Sequence, residues 1–290
     1  MLVASIGFFD GVHRGHQHLI RQVRDEALRR GMHSLLITFD RHPRSAFAPE
    51  AVPPLLTTAT EKMPLLRATG VDDIYVLPFD LKMAALTARE FMQQVLRDEL
   101  GVTVLVIGYD HHFGRPEAGM KGKPSITDYQ AWGREVGIEV VLAEELEGEH
   151  VSSSAIRHAL EVGDVETANR LLGRPYAWTG RVVHGHGIGR QLGFPTANLE
   201  AIEPDKMLPA RGVYAVKGGM LNIGQRPTLD NGNDTSIEVH LFDCKEDLYG
   251  QALTLSFITR LREERRFDSE AELILQLQRD KEAAQKLFEL

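Results

Sequence analysis

The chain predicts an α/β protein in which a parallel sheet wrapped by helices is followed by a small antiparallel β-barrel and a long terminal helix. Three observations carry this. Through the first half, β-rich runs alternate with amphipathic helical patterns, as in a parallel sheet with covering helices. Beyond Pro175 the alternation gives way to strands separated by turns. In the first half, glycine-framed polar clusters fall directly after strands, where open α/β sheets place their ligands. At 290 residues, 43% hydrophobic and 26% charged, the chain can bury two ordinary cores without disulfide or metal staples.

The elements follow in order. Leu2 to Gly7 reads as a strand; Leu19, Ile20, Val23, Ala27 and Leu28 recur at helical spacing, and Gly31 supplies the stop. Ser34 to Phe39 is the second strand. A helix near Glu61 to Thr69, a strand at Ile74 to Leu77 and a helix opened by a Thr87/Glu90 capping box continue the pattern to Gly101. Val102 to Ile107 is a buried strand, and the polar, glycine-rich segment 108–124 after it is a candidate active-site loop. A helix over Ile126 to Val136 and a strand over Ile138 to Leu142 lead to Ser152-Ser153-Ser154, which caps a helix, and a second short helix ends at Leu171-Leu172-Gly173. The expected domains are 1–173 and 174–290, parted just before Pro175. The second holds strands at Ala177 to Val183, Gly212 to Lys217, Met220 to Ile223, Thr235 to Phe242 and Leu253 to Ile258. A helix from a Ser269/Glu272 capping box through Leu273, Ile274, Leu277 and Leu287 closes it.

Composition excludes several classes. The single Cys244 cannot pair within the chain, and no cysteine cluster offers a zinc site, which fits a reducing cytosol. Met1-Leu2-Val3-Ala4 lacks a basic leader, and runs such as Val102 to Ile107 are too short to span a bilayer. A formal charge of -8 opposes non-specific adhesion to nucleic acid or anionic lipid. A cytoplasmic monomer or weak homo-oligomer, without nucleic-acid or membrane partners, is expected.

The densest motif is Gly7-Phe8-Phe9-Asp10-Gly11-Val12-His13-Arg14-Gly15-His16. Gly7, Gly11 and Gly15 let backbone between strand and helix approach a ligand, and His13 and His16 stand at the amide-rich, positive start of the helix. In adenylyl transfer, a phosphate attacks the α-phosphorus of ATP, so the protein mainly positions groups and stabilises spreading negative charge. Imidazoles suit that task. Two histidines three apart are also ordinary surface residues; the flanking strand, helix and glycines favour function. Thr38-Phe39-Asp40-Arg41-His42-Pro43, Gly108-Tyr109-Asp110-His111-His112-Phe113-Gly114 and Ser152-Ser153-Ser154-Ala155-Ile156-Arg157 are expected on the same sheet edge. The serines serve equally well as N-caps. Arg157 in a first helical turn opposes the dipole unless an anion is near. Adjacent loop histidines such as His111 and His112 are usually solvated, and no tightly bound structural metal is expected.

A second signature lies in the barrel half. Gly185, Gly187 and Gly189 form a Gly-x-Gly-x-Gly run, but Gly193 and Pro195 interrupt any following helix, so it reads as a flexible flap over nucleotide. Thr196 and Asn198 of Pro195-Thr196-Ala197-Asn198 offer oxygens for Mg²⁺ or a β/γ-phosphate, although turn chemistry beside proline uses the same residues. The strand Thr235 to Phe242 puts Ile237, Val239 and Leu241 on one face and Ser236, Glu238 and His240 on the other, as any half-exposed strand does. Together the signatures suggest two ATP-using enzymes in tandem.

In this order the motifs resemble the bifunctional riboflavin kinase/FAD synthetase family of bacteria, and the match covers nearly the whole chain. That family carries G-x-F-D-G-x-H-x-G-H, T-F-x-x-H-P, a G-x-D-x-x-F-G loop and S-S-T-x-I-R, then P-T-A-N and a strand with E-x-H. The resemblance implies a Rossmann-like nucleotidyltransferase domain followed by a riboflavin kinase barrel. It implies riboflavin, FMN, FAD and ATP as ligands and Mg²⁺ with the ATP. His13 and His16 would be catalytic in the first domain, with Gly7, Asp10, Gly15, His42, Ser152, Ser153 and Arg157 binding ATP or phosphate. Gly185, Gly187, Gly189, Thr196 and Asn198 would bind it in the second, Thr196 and Asn198 also holding the metal. Glu238 would be the general base on the ribityl 5′-hydroxyl, with His240 a neighbour. Asn222 to Thr228, Leu248-Tyr249-Gly250 and Leu261-Arg262 before Phe267-Asp268 also resemble the kinase module. Ser154 stands where the family commonly has threonine, Pro116-Glu117 replaces a more basic stretch, and His186 replaces an acidic residue of the flap. The rivals are a protein with only one of the two activities, another adenylyl- or cytidylyltransferase, and a non-catalytic flavin-binding sensor. The second needs no P-T-A-N barrel, and retention of His13, His16 and Glu238 opposes the third.

Overall fold

The computed structural model describes residues 1–290 apart from 110, 111, 116, 118, 121, 186, 187, 226–234, 245, 289 and 290. It forms two compact units, Met1–Pro53 with Thr57–Val151, and Pro54–Leu56 with Ser152–Leu290.

In the first unit, β1 (Leu2–Ile6), β2 (His33–Phe39), β3 (Asp73–Leu77), β4 (Val102–Ile107) and β5 (Glu139–Leu142) make a parallel sheet ordered β3-β2-β1-β4-β5. The chain starts at the centre and winds outward to each side, so the order reverses between β1 and β4, the place where such sheets open a ligand crevice. Helices cover both faces, which is why β2 reads as an almost unbroken apolar run. Ala4, Ile6, Leu35, Ile37 and Leu105 form the core on one face; Val3 and Val104 pack on the other with Val23 and Ala27 of α1 (Arg14–Arg30). Gly31 ends α1 in the left-handed conformation at φ 64°. α2 (Ala59–Arg67) begins earlier than expected because Thr58 and Glu61 form a reciprocal capping box. α3 (Leu81–Ala85) is an element the sequence did not mark. The Thr87/Glu90 box forms in both directions and opens α4 (Ala88–Phe91), which continues as a π-helical stretch over Met92–Glu99. α5 (Ile126–Val136) packs against β5.

The second unit contains α6 (Ser153–Glu161), α7 (Val165–Leu172), β6 (Ala177–Val183), α8 (Ile188–Gln191), β7 (Ala197–Ala201), β8 (Gly212–Val216), β9 (Gly219–Gln225), β10 (Thr235–Leu241), β11 (Ala252–Arg262) and α9 (Glu270–Lys286). Six strands close into a barrel ordered β10-β7-β6-β11-β8-β9, leaving no open edge. β7 was hidden in a proline turn. Trp178, Tyr214 and Phe257 fill the interior, and Gly180 is required because a Cβ there would come within 2.6 Å of the Trp178 ring. Compactness parts the chain before α6 and α7, whereas chain order suggested 173/174. The Asn169 amide of α7 donates to the Phe257 carbonyl at 2.9 Å and its oxygen accepts from Tyr176 N–H at 2.6 Å, holding α7 on the barrel. At α9, Ser269 caps as expected, but the Glu272 carboxylate accepts from the Asp268 N–H.

Candidate functional sites

The turn from β1 into α1 is strained and locked. Gly7 N–H donates to the Ile37 carbonyl at 3.0 Å, after which Phe9 and Val12 take φ of 53° and 41° around Gly11 at 82°. A β-branched residue in that region costs about 1–3 kcal/mol, so its surroundings must impose it. They do: Asp10, 3% exposed, accepts from Thr57 N–H at 2.9 Å and Thr57 Oγ1 at 3.2 Å, while Gly11 N–H donates to Thr57 Oγ1 at 2.9 Å. Asp10, expected to bind phosphate, thus directs a buried carboxylate at Thr57 and shapes the turn.

That turn delivers His13 to the N-cap of α1. Its Nδ1 accepts from His16 N–H at 3.2 Å, which leaves the ring proton on Nε2, and the two rings stack 3.6 Å apart at 17°. Phe9 meets His16 edge-on at 5.3 Å. Gly15 is a close-approach glycine: a Cβ would lie 3.2 Å from His13 Nδ1 and 3.3 Å from the Val151 carbonyl. The first turn of α1 holds no acidic residue, so its positive end is left for an anion.

His42 caps the 3₁₀ turn Pro43–Ala46, accepting from Arg44 N–H at 3.1 Å, and sets its ring against Phe8 at 4.9 Å. Lys62, unmarked by the sequence because a helical lysine reads as solvated, is buried with its Nζ donating to the Phe8 carbonyl at 3.0 Å. Beside these residues lies an apolar cavity of about 680 Å³, lined by Phe8, Phe39, Phe79, Phe91, His112 and Phe113 among others. The Tyr129 hydroxyl donates to the Phe113 carbonyl and accepts from its N–H, both at 3.0 Å, pinning the loop after β4 there. Asp110, His111 and Pro116 of that loop lie outside the described residues.

In the second unit, Ser152 Oγ accepts from Ala155 N–H at 3.2 Å as the N-cap of α6, which Ser153 begins. Arg157 Nε donates to the Pro54 carbonyl at 2.8 Å. The capping reading of the serine run is therefore realised at Ser152.

The barrel assembles its own polar cluster. β10 runs antiparallel between β7 and β9, which sets Glu238 opposite both Asn198 and Asn222. Thr196 Oγ1 stands 3.5 Å from Glu238 Oε2, at the limit of hydrogen bonding. His240 Nδ1 lies 2.8 Å from the Pro195 carbonyl, which can only accept, so the proton is on Nδ1. Its Nε2 is buried without a hydrogen-bond partner among the described residues. β10 is not the half-exposed strand its alternation suggested: Ser236 and His240 are buried as well as Ile237 and Val239, with Phe194 and Phe242 packed edge-on around His240.

Gly185 and Gly189 pack closely against this cluster. A Cβ on Gly185 would overlap the Asn198 amide, and one on Gly189 would overlap the Phe194 carbonyl and stand 3.0 Å from Thr196 Oγ1. Where a flexible flap with no helix directly after it was expected, Ile188–Gln191 closes one turn of helix; His186 and Gly187 lie outside the described residues, as does Arg226-Pro227-Thr228. A cavity of about 520 Å³ opens beside it, lined by Arg190, Thr196, Ala197, Val239, Asp247 and Tyr249 among others. His184 stacks on Tyr249 at 3.9 Å. Arg262 is structural: its Nε and a terminal nitrogen reach Asp280 Oδ2 at 2.9 and 2.8 Å, tying β11 to α9.

A parallel α/β unit with paired imidazoles at a helix start, joined to a closed barrel with a carboxylate facing a hydroxyl-bearing turn, defines a two-module, ATP-dependent transferase. The chain belongs to the bifunctional riboflavin kinase/FMN adenylyltransferase family. The FAD synthetase family model matches residues 1–155 and the riboflavin kinase model residues 172–288. A bifunctional riboflavin kinase/FMN adenylyltransferase of Pseudomonas fluorescens is 40% identical over 295 residues, covering 98% of this chain and 92% of the relative. The enzymes of that name from Escherichia coli (strain K12) and Bacillus subtilis (strain 168) are 38% and 36% identical, each over 99% of this chain and over 93% and 92% of their own lengths. A solved structure of a macrolide-efflux protein from Streptococcus pneumoniae superposes with a TM-score of 0.84 at 31% identity, covering 97% of this chain and 93% of that one. The efflux in its name belongs to that protein. Among the described residues here, no helix is long and apolar enough to cross a membrane.

Proposed function

We propose that the barrel unit phosphorylates riboflavin to FMN with MgATP, and that the N-terminal unit adenylylates FMN to FAD with release of pyrophosphate. The observation that carries this reading is that each unit gathers its own reactive set: His13 on His16 at the start of α1, and Glu238 against Thr196 and Asn198 in the barrel.

In the barrel, Glu238 accepts the proton of the ribityl 5′-hydroxyl as that oxygen bonds to the γ-phosphorus of ATP and the bond to the β-phosphate breaks. Thr196 and Asn198 offer hard oxygen donors beside that carboxylate, a set that suits Mg²⁺ shared with nucleotide phosphates. When bound, the ion neutralises phosphate charge. Gly185 and Gly189 let the flap backbone lie close over the turn, where a larger residue would displace Asn198 or Phe194.

In the N-terminal unit, the nucleophile is already a phosphate oxygen. A phosphomonoester with a second pKa of about 6 is ionised at neutral pH, so no general base is required. The oxygen bonds to the α-phosphorus of ATP and pyrophosphate leaves. The imidazoles and the N–H groups at the start of α1 stabilise the growing charge. The cavity walled by Phe8, Phe39, Phe79, Phe91 and Phe113 suits the flat isoalloxazine ring. The net charge of -8 and the lone exposed Cys244 support a cytoplasmic monomer or weak homo-oligomer without nucleic-acid or membrane partners. The deciding experiment incubates the purified protein with riboflavin, ATP and Mg²⁺ and separates the flavins by chromatography. FMN and then FAD are expected; formation of neither overturns the reading.

A further inference from the structure

We infer that Lys62 is a positioning residue for the flavin acceptor of the N-terminal unit, holding the Phe8 and Phe39 wall of the apolar cavity. This rests on the reading of that unit as an FMN adenylyltransferase.

Lys62 and Leu66 are the buried residues of α2, one turn apart on the same side, and a helix facing a core normally places apolar residues there. Lys62 is 5% exposed. Its Nζ donates to the Phe8 carbonyl at 3.0 Å and lies 3.4 Å from Thr38 Oγ1 and 3.5 Å from the Phe39 carbonyl, at the limit of hydrogen bonding. The ammonium also sits 4.0 Å from the centroid of the Phe8 ring. Phe8 follows β1 and Phe39 ends β2, so the lysine bridges two neighbouring strand ends just where the ladder stops at Ile6 and Ile37. Both residues line the cavity. Lys62 is not itself among the residues that line the cavity; it acts through the wall it holds.

Burial pushes the Lys62 pKa down to about 8, against the opposing pull of Asp10 and Asp40, so the ammonium is less favoured in its site than in water. A buried cation held at such a cost beside a ligand cavity points to function more than to packing.

Steady-state FAD formation from FMN at saturating ATP and Mg²⁺ tests this in the full-length protein. Lys62→Met keeps length and apolar contact while removing the charge. It is expected to raise KM for FMN at least about tenfold with kcat within about threefold, while riboflavin phosphorylation stays at the wild-type rate; Lys62→Arg recovers most of the loss. Phe8→Leu is expected to raise the same KM, and the double variant to add little beyond Lys62→Met, because residues acting through one another are not additive. An unchanged KM in Lys62→Met overturns the inference, as do fully additive effects or a parallel fall in riboflavin phosphorylation, which would mark a role in the fold alone. If the wild-type protein forms no FAD from FMN, the parent reading falls first and this inference with it.

Discussion

The His13 and His16 rings lie parallel within one helical turn, their centroids 3.6 Å apart and Nδ1 of the first accepting the backbone N–H of the second. This contact fixes where both imidazoles present their edges, and Gly15 makes it possible by leaving the space a methyl group would fill. Removing one positioned donor of developing charge commonly costs about 10²- to 10³-fold in rate. His16→Ala is therefore expected to lower FAD formation from FMN by that factor and leave riboflavin phosphorylation intact. Gly15→Ala should lower it too, by crowding His13. Chromatographic assay of each half-reaction checks both; equal loss in the two reactions would show that the pair serves the fold.

The opposite separation is expected at Glu238. Glu238→Gln preserves the size of a side chain set opposite Asn198 and Asn222 but removes the proton acceptor. General-base catalysis contributes about 10²- to 10⁴-fold, so FMN formation from riboflavin should fall by that range while FMN is still converted to FAD. A kinase rate within a few-fold of wild type would exclude Glu238 as the base.

Much of this geometry was legible in the chain because it depends on local patterns. The apolar run of β2, the Thr87/Glu90 box and the left-handed Gly31 stop are set within a few residues, and all form as read. What escaped depends on distant partners. β7 carries Asn198 and Glu200 and becomes a strand only by pairing with β6 and β10. The cavity wall draws Phe8, Phe39, Phe79, Phe91 and Phe113 from across the first unit, with no local pattern linking them. The apolar side of α7 signals burial but cannot say that β11 is what it meets. Lys62 escaped for the opposite reason: its residue type argues for solvent, and only the assembled strand ends show why it is inside.

His240 links the strand of the base to the turn of the hydroxyl. Its Nδ1–H to the Pro195 carbonyl is a single 2.8 Å bond from β10 to the segment that places Thr196 and Asn198. An asparagine amide can reach from the same side of a side chain as Nδ1, whereas leucine cannot donate. His240→Leu is thus expected to raise KM for ATP in riboflavin phosphorylation by roughly tenfold, about the 1.4 kcal/mol of one hydrogen bond. His240→Asn should restore most of it. If both variants behave alike, the bond does not hold the turn.

Lys62 also ties the stability of the fold to pH. Its pKa is about 8 in the folded protein and 10.5 in the reference state, the lowering caused by burial and partly opposed by Asp10 and Asp40. Between those values the unfolded chain holds a proton that the folded chain has lost, so this group makes stability rise with pH across that window. Below about pH 8 both states are protonated and its contribution is flat, at its least favourable. The full difference is about 3 kcal/mol, at about 1.4 kcal/mol per pKa unit. Denaturant unfolding of wild type and Lys62→Met at several pH values isolates the effect, since other titrating groups cancel in the comparison. The variant should gain most, relative to wild type, below pH 8, and that advantage should shrink as the pH approaches 10. Catalysis should run the other way: as Lys62 loses its proton above pH 8, the wild-type KM for FMN should climb toward that of Lys62→Met, whose own KM lacks this step. A difference in stability that does not vary with pH would mean that the ammonium is not desolvated where it lies.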